Sequence, residues 1–214
     1  MAHEFKPADR HRFETALQRF DAENSRDPNS EQTAEGVNHP RELLYAQRLT
    51  DWVLRLCPGA SEELRLAARC QHLCRWMVPR DSYPMTRAGY LQWREGLKKF
   101  HANKAGEILR SEGYPESVIT RVQALNVKKD FPADPEVRVL EDALCLVFLE
   151  YQFGPLAEKT SDEKMVNALQ KSWKKMTPRA RALAGQLTFS PQQQALLAKA
   201  LANEESKSES ATNG

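Results

Sequence analysis

The residues PEVRVLEDALCLVFLEYQF, at positions 135–153, carry the strongest evidence on fold class. The part ALCLVFLE, at 143–150, is apolar on nearly every face of a helix, which predicts a core helix rather than a surface helix. Elsewhere apolar residues recur at intervals of three and four, as at Tyr45, Leu49 and Trp52, and strand-like alternation is nearly absent. The sequence therefore predicts an all-α protein built around helix 135–153.

Helix boundaries are marked by proline at expected first helical positions, each preceded by a residue that can cap a helix. The pairs are Asp134-Pro135, Thr177-Pro178 and Ser190-Pro191. With the apolar periodicity they predict helices over 8–23, 41–56, 61–78, 87–111, 115–127, 135–153, 162–176, 178–187 and 191–203. Residues 24–39 are polar and contain proline and glycine, so we expect a long loop there. The oxygen-bearing side chains in and beside this loop are interpreted as capping groups: Asp21, Asn24, Asp27 and Asn29.

Length and composition are those of an ordinary globular chain, with 214 residues, of which 41% are apolar and 28% charged. We predict one domain over residues 1–202 and a disordered tail over 203–214, because NEESKSESATNG offers nothing to bury. The formal net charge of +2 is too small for the whole molecule to be a non-specific polyanion binder. We find no apolar run typical of a signal peptide or a spanning helix, and expect a cytoplasmic protein with reduced cysteines and no membrane partner.

Three ionisable residues fall where the pattern predicts burial, and a buried charge without a partner is costly. They are Asp142 in the core helix, His72 in LRLAARCQHLCRW, and Glu42 in the first turn of helix 41–56. Because carboxylates and imidazole are ligands for divalent metal ions, we predict a metal site of Glu42, His72 and Asp142. Each residue also has a structural interpretation: an arginine partner for Asp142, a hydrogen bond in the core for His72, and the helix N-terminus for Glu42.

The segment 75–104 has seven Lys or Arg residues but two Asp or Glu residues, and it interleaves the cations with tyrosine and tryptophan. Guanidinium groups beside aromatic rings suit a ligand that combines phosphate with a base. The prolines within 79–86 predict a loop after the His72 helix, at the mouth of any cavity that contains His72. The predicted ligand-binding residues are Arg75, Arg80, Tyr83, Arg87 and Arg94. The alternative is that these arginines neutralise buried acids while the aromatic rings fill the core.

In helix order, the chain resembles the HD phosphohydrolase superfamily in the runs HPRELLYAQRLTDWV, ELRLAARCQHLCRW, KFHANKAGEILRSEGYPESVITRVQAL and VRVLEDALCLVFLE. The resemblance implies an HD-like core over about residues 40–153 with extra N- and C-terminal helices, and a divalent metal ion whose bound water attacks a phosphate ester. It places His72 at the dyad histidine, Asp142 at the late aspartate, and His101 at a downstream histidine that serves a second metal or donates a proton. Leu73 stands at the dyad aspartate, and Glu42 stands where the first histidine is expected, so the metal set departs from that of the superfamily.

A longer resemblance covers most of the chain. The chain is similar to the family called domain of unknown function 4202 in the strings FDAEN, RELLYAQR, QHLCRW, PRDSYPMTRAGYLQWR, FHANKAG, EDALCLVFLEYQF and DEKMVNALQKSWKKM. The similarity spans roughly residues 13–178, and motifs of this length are highly specific. No established activity comes with this family, so the resemblance leaves the reaction open.

These features favour a metal-dependent phosphohydrolase that acts on a small phosphorylated ligand, with a nucleotide as the favoured class. In this hypothesis His72, Asp142 and His101 are catalytic, Glu42 completes the metal site, and the arginines neutralise the phosphate. The alternative is a catalytically inactive HD-like module that binds a nucleotide or RNA as a sensor or adaptor. RNA is the less favoured ligand, and the sequence specifies neither the metal nor the oligomeric state.

Overall fold

A computed structural model describes residues 5–33 and 35–212, with side chains described as far as residue 202. Within this part of the chain it contains ten α-helices and a two-stranded hairpin, so the all-α prediction is confirmed. The helices are α1 (Arg10–Asn24), α2 (Arg41–Leu56), α3 (Glu62–Cys70), α4 (Arg87–Ser111), α5 (Glu116–Val127), α6 (Pro135–Val147), α7 (Phe153–Ala157), α8 (Asp162–Lys175), α9 (Pro178–Ala184) and α10 (Pro191–Thr212). None of the helices in the described residues has the length and apolarity that crossing a bilayer requires.

The chain divides into two compact units, Met1–Leu140 and Glu141–Gly214, and α6 contributes residues to both. In the first unit, α3 packs against α2 and α5, and α4 packs along α5. The core of this unit includes Leu64 and Leu109, which are both fully buried. In the second unit, α8 packs against α10. One domain over residues 1–202 stays a prediction, because a division into compact units does not test it.

The predicted core helix is buried, but it is not one continuous α-helix. Val137, Leu140 and Leu146 on α6 are fully buried, as the apolar pattern predicts. A π-helical turn, Phe148–Gln152, follows α6 and leads into α7. The apolar run does not predict this turn, because the same apolar residues fit an α-helix and a π-helical turn within it.

The predicted N-terminal caps are confirmed at three helices. The side-chain oxygens of Asp134, Thr177 and Ser190 each accept a hydrogen bond from a backbone N–H in the first turn that follows. The donors are the N–H groups of Val137, Ala180 and Gln193, respectively. Proline after a capping residue therefore marked these helix starts correctly.

The long loop predicted over residues 24–39 contains a short hairpin. Strand β1 (Ser30–Gln32) pairs antiparallel with strand β2 (Asn38–Pro40). Between them, Gly36 adopts a φ of 79°, which glycine reaches without steric cost. The loop prediction is wrong for these strands, because three-residue polar strands carry no apolar alternation that the sequence could reveal.

The helix predicted over 61–78 is also interrupted. Helix α3 ends at Cys70, residues 71–74 form a turn, and a 3₁₀ turn follows at Arg75–Met77. Cys74 has a φ of 55°, in the left-handed region, so the α-helix cannot continue through it. Neither glycine nor proline marks this break, and the periodicity alone predicted a continuous helix. His72 therefore lies in a turn and not on a helix face.

At the C-terminal end, two boundaries differ from the prediction. Helix α9 ends at Ala184, three residues before the predicted end at 187. The backbone of α10 is helical as far as Thr212, inside the segment 203–214 for which a disordered tail was predicted. The side chains of that segment lie outside the described residues.

Candidate functional site

The turn at residues 71–74 is hydrogen-bonded to three helices of the first unit. The backbone N–H of Cys74 donates to Asn24 Oδ1 at the end of α1 (3.1 Å), and Gln71 Nε2 donates to the carbonyl of Asn126 on α5 (3.3 Å). The carbonyl of Leu73 lies 2.7 Å from His101 Nδ1 on α4. These bonds fix the backbone on both sides of His72.

Glu42 enters the same region from the first turn of α2. Pro40, directly before α2, has no side-chain group that can cap the helix, and Asp27 supplies the acceptor instead: the N–H of Glu42 donates to Asp27 Oδ2 (3.0 Å). The Glu42 side chain is only 9% exposed. Its Oε2 lies 3.3 Å from His72 Nδ1, and its Oε1 lies 3.7 Å from Arg75 Nε. Glu42 and His72, two of the predicted metal ligands, are therefore in contact.

The His72 ring contacts two other rings. It stacks on Tyr45 with a centroid distance of 4.0 Å and an angle of 6° between the ring planes. Its centroid is 5.7 Å from that of His101, at an angle of 33°. Glu42, His72 and His101 are called the histidine–glutamate cluster below. Tyr45 follows Glu42 by three positions on α2, so one helix face supplies both a carboxylate and a stacking surface.

Burial raises the pKa of the Glu42 carboxyl from an ordinary 4.5 to about 7. Arg75 opposes this shift because a nearby positive charge favours the carboxylate, whereas the negative charge of Asp27 adds to it. Near neutral pH the Glu42 carboxyl is therefore close to half protonated. A group in this condition can take up or release a proton at physiological pH.

Both histidines of the cluster are neutral at pH 7. Loss of hydration lowers the pKa of His72 well below its ordinary value, and the charges of Arg75, Lys128 and Arg94 lower it further. Burial likewise lowers the pKa of His101 to about 3. Because a carbonyl only accepts hydrogen bonds, the contact with Leu73 places the His101 proton on Nδ1. Its Nε2 is then a buried acceptor with no hydrogen-bond partner among the described residues.

The cluster is accessible from one side. The His101 residue is 3% exposed, whereas the side chains of His72 and Arg75 are 22% and 30% exposed. The Arg75 guanidinium lies 4.8 Å from the centroid of the Trp93 ring. The part of the cluster that solvent reaches therefore lies at His72, beside Arg75, where three cations influence the local potential.

The other predicted ligand-binding residues have different surroundings. Arg80 donates to the carbonyls of Tyr83, Pro84 and Thr86, so its guanidinium holds the loop that leads into α4. Tyr83 lies with its hydroxyl against α4 at Gly96. Arg87 and Arg94 are both exposed on α4. Of the predicted set, Arg75 is the residue in direct contact with Glu42.

Asp142, predicted as the third metal ligand, is bound by a threonine of its own unit. Its Oδ1 accepts a hydrogen bond from the backbone N–H of Thr177 (2.9 Å), and its Oδ2 accepts one from the Thr177 hydroxyl. Thr177 caps α9, so Asp142 supports the start of that helix. This accounts for a buried carboxylate without the arginine partner that the structural interpretation expected.

Of the three predicted metal ligands, Asp142 has both carboxylate oxygens hydrogen-bonded to Thr177. Among residues 5–33 and 35–202, no three His, Cys, Asp or Glu side chains are arranged to hold one metal ion. A divalent metal ion at Glu42, His72 and Asp142 therefore stays a prediction.

Two residues that position the cluster were not among the predicted site residues. Asp27 was interpreted as a capping residue, which is correct, but the helix it caps is the one that carries Glu42. Tyr45 shares the helix face of Glu42, and only the interrupted helix at 71–74 brings the His72 ring onto it. A sequence signal existed for Tyr45 in its spacing from Glu42, whereas none existed for the turn.

Comparison with known proteins gives one family. A family model described as Domain of unknown function (DUF4202) matches residues 14–197. No curated protein and no solved structure matches the chain. The resemblance to the HD superfamily therefore stays a prediction. Because the family model covers most of the 214 residues, the chain belongs to the family DUF4202.

Proposed function

We propose that this chain binds a small phosphorylated ligand, with a nucleotide as the favoured class, at the accessible side of the histidine–glutamate cluster. The observation that carries the proposal is an excess of positive charge. Arg75 and Arg94 act on His72, while both histidines are neutral and the Glu42 carboxyl is close to half protonated near pH 7. An anion is the ligand that such a site favours.

The position of Arg75 supports a phosphate contact. Its Nε lies 3.7 Å from Glu42 Oε1, which is longer than a hydrogen bond. Arg75 is 30% exposed and its guanidinium lies over Trp93, so its orientation is restrained while its donors remain within reach of a ligand. A phosphate group accepts paired hydrogen bonds from a guanidinium, and such pairs are among the strongest that proteins form.

Binding is tested by isothermal titration calorimetry of the full chain with inorganic phosphate, ribose 5-phosphate and adenosine monophosphate. We expect all three to bind and Arg75→Ala to weaken each by about tenfold or more, as loss of a charge-assisted hydrogen bond predicts. Arg55→Ala is the matched control, because Arg55 also lies over a tryptophan, Trp52, at 3.9 Å. Absence of binding, or equal losses in the two variants, contradicts the proposal.

A second candidate function is hydrolysis of the phosphate ester, and the pKa of Glu42 favours it. A general base is most effective when its pKa is near the working pH, and burial raises the pKa of Glu42 to about 7. Water attacks phosphorus, Glu42 takes its proton, and the leaving oxygen takes a proton from solvent as its bond to phosphorus breaks. His101, with Nε2 unprotonated, is suited to accept a hydrogen bond from the ligand or the water and not to donate a proton.

Release of inorganic phosphate from p-nitrophenyl phosphate and from adenosine monophosphate tests hydrolysis. The hydrolase hypothesis predicts turnover that Glu42→Gln abolishes while ligand binding remains. Turnover that is lost on adding a chelator and restored by a divalent ion supports the metal-dependent form predicted from the HD resemblance. Ligand binding without any turnover supports the non-catalytic binding module.

A further inference from the structure

Exposed apolar side chains are concentrated in one segment of the first unit. Six large apolar side chains are well exposed in the described residues, and four of them fall within residues 77–91. These are Met77 (58% exposed), Met85 (77%), Tyr90 (42%) and Leu91 (55%). Single exposed apolar residues are normal, but a concentration of this kind is typical of an interaction surface.

Helix α4 presents two of these residues on a stripe that also carries arginine. Arg87, Tyr90, Leu91 and Arg94 follow the spacing of three and four that places residues on one face of a helix, and all four are exposed. The buried face of the same helix is formed by Gly89, Trp93, Leu97 and His101. The stripe is therefore not part of the core of the described structure.

The segment before α4 is held in place against the helix. Trp93 Nε1 donates to the carbonyl of Val78 (2.9 Å). The Arg80 guanidinium donates to the backbone carbonyls of Tyr83 and Pro84 in the loop. A Cβ atom at Gly89 would lie only 2.1 Å from the carbonyl oxygen of Pro84, so glycine is required for this close approach. Met77 and Met85 thus lie in a segment directly before α4 whose backbone is held by these contacts.

We infer that the α4 surface, made of Met77, Met85, Arg87, Tyr90, Leu91 and Arg94, docks an acidic amphipathic segment of a partner protein. Methionine and leucine adapt to the apolar side of such a segment, and burying them removes apolar surface from water. Neither Arg87 nor Arg94 forms an ion pair with a described acid, so both are available to acidic side chains of the partner. This inference goes beyond the phosphate site proposed above: the phosphate contact there is assigned to Arg75, and Arg94 contributes its charge to that site and its exposed side chain to this surface.

The apolar content favours a protein partner over RNA. Recognition of single-stranded RNA relies on flat aromatic rings on which bases stack. Here Tyr90 is the one aromatic ring among the six residues of the surface, and the remaining apolar area comes from methionine and leucine. An amphipathic peptide uses both the apolar area and the charge.

Selection from an unbiased library of displayed peptides on the full chain tests this inference. We expect recovered peptides to be enriched in Asp and Glu, with apolar residues spaced at three and four. Binding of a recovered peptide, measured by fluorescence anisotropy, should fall by about tenfold or more in Tyr90→Ala/Leu91→Ser and in Arg87→Glu. Circular dichroism verifies that these surface variants keep the helical fold.

The matched controls lie in the second unit. Leu156→Ser removes an exposed apolar side chain and Lys171→Glu reverses an exposed charge, and both should leave peptide binding unchanged. Recovery of no peptide, of peptides without acidic enrichment, or of peptides that bind all variants equally overturns the inference. Polyuridylate RNA is the second probe: RNA binding that Tyr90→Ala/Leu91→Ser abolishes while no acidic peptide binds makes the surface a nucleic-acid site and also overturns it.

Discussion

Glu42 and Asp142 are both buried carboxylic acids, 7% and 4% exposed, but their surroundings differ. Both oxygens of Asp142 accept hydrogen bonds from Thr177. The contacts of the Glu42 oxygens are longer, 3.3 Å from Oε2 to His72 Nδ1 and 3.7 Å from Oε1 to Arg75 Nε. A buried carboxylate whose two oxygens accept close hydrogen bonds stabilises the fold, whereas one with longer contacts and a raised pKa is a candidate for binding or catalysis.

The largest expected effect is on the stability that Asp142 provides. Asp142→Ala leaves the N–H and hydroxyl of Thr177 without their acceptor at the start of α9. Since hydrogen bonds to a charged group are worth about 1.5–3 kcal/mol each, we expect the free energy of unfolding to fall by roughly 4 kcal/mol. Urea denaturation followed by circular dichroism measures this change.

Asp51→Ala is the control for Asp142→Ala, because Asp51 is an exposed aspartate on α2. The free energy of unfolding of Asp51→Ala should differ from that of the unmodified chain by less than about 0.5 kcal/mol. If Asp142→Ala were as stable as this control but lost phosphate binding, the contrast between the two carboxylates would be wrong and Asp142 would belong to the ligand site.

Glu42→Gln should have the opposite effect on stability above neutral pH. The folded-state pKa of Glu42, about 7, is higher than its ordinary value of 4.5, so ionisation opposes folding. Protonation of Glu42 therefore contributes to the free energy of unfolding of the unmodified chain. This contribution is complete below about pH 4.5 and is lost as pH rises through 7. The shift corresponds to about 3 kcal/mol. Relative to the unmodified chain, Glu42→Gln should thus gain up to that amount between about pH 5 and pH 8.

Parallel urea denaturation curves at several pH values measure this difference, and the subtraction removes contributions from other titrating groups. A constant difference between the two proteins across this pH range would mean that Glu42 ionises in the folded state as it does in water.

Much of the fold was predictable from the sequence, because its signals are local. Proline after a capping residue located the starts of α6, α9 and α10, and periodicity located most of the other helices. The turn after Cys70 was not predictable, because it depends on bonds from distant residues such as Asn24 and His101. The hairpin was missed because its strands are short and polar.

The candidate site was also predictable only where its signals are local in the sequence. The argument from buried charge selected Glu42, His72 and Asp142, and the first two lie in contact. It could not show that Thr177, thirty-five residues along the chain, satisfies Asp142. Burial is readable from a pattern of apolar residues, but the identity of a hydrogen-bond partner is not.

Ligand affinity should depend on pH through the same carboxyl group. Protonated Glu42 no longer competes with an anion for Arg75, so affinity should rise as pH falls through 7. Inorganic sulfate is the probe here, because it keeps its charge while phosphate titrates in this range. We expect calorimetry to give about tenfold tighter sulfate binding at about pH 6 than at about pH 8, and Glu42→Gln to remove this dependence. A flat profile in the unmodified chain contradicts the proposed site.

The smallest expected effect comes from the ring beneath His72. Tyr45→Leu keeps an apolar side chain but removes the stacked ring, which is worth about 1 kcal/mol, so sulfate binding should weaken by severalfold. Tyr114→Leu is the control, because the Tyr114 ring and hydroxyl contact Arg12 and Glu62, and it should leave sulfate binding unchanged. Equal affinities in Tyr45→Leu and the unmodified chain would show that the orientation of His72 does not depend on Tyr45.

The central claim is that Glu42 is a carboxyl group that titrates near neutrality beside an anion site. Carbon-13 NMR of labelled glutamate, with Glu42→Gln to assign the resonance, measures its pKa directly. We expect a pKa of about 7 in the free protein and a higher value when sulfate is bound, because a bound anion favours the protonated form. A pKa near the ordinary 4.5, or one that sulfate leaves unchanged, would contradict the account.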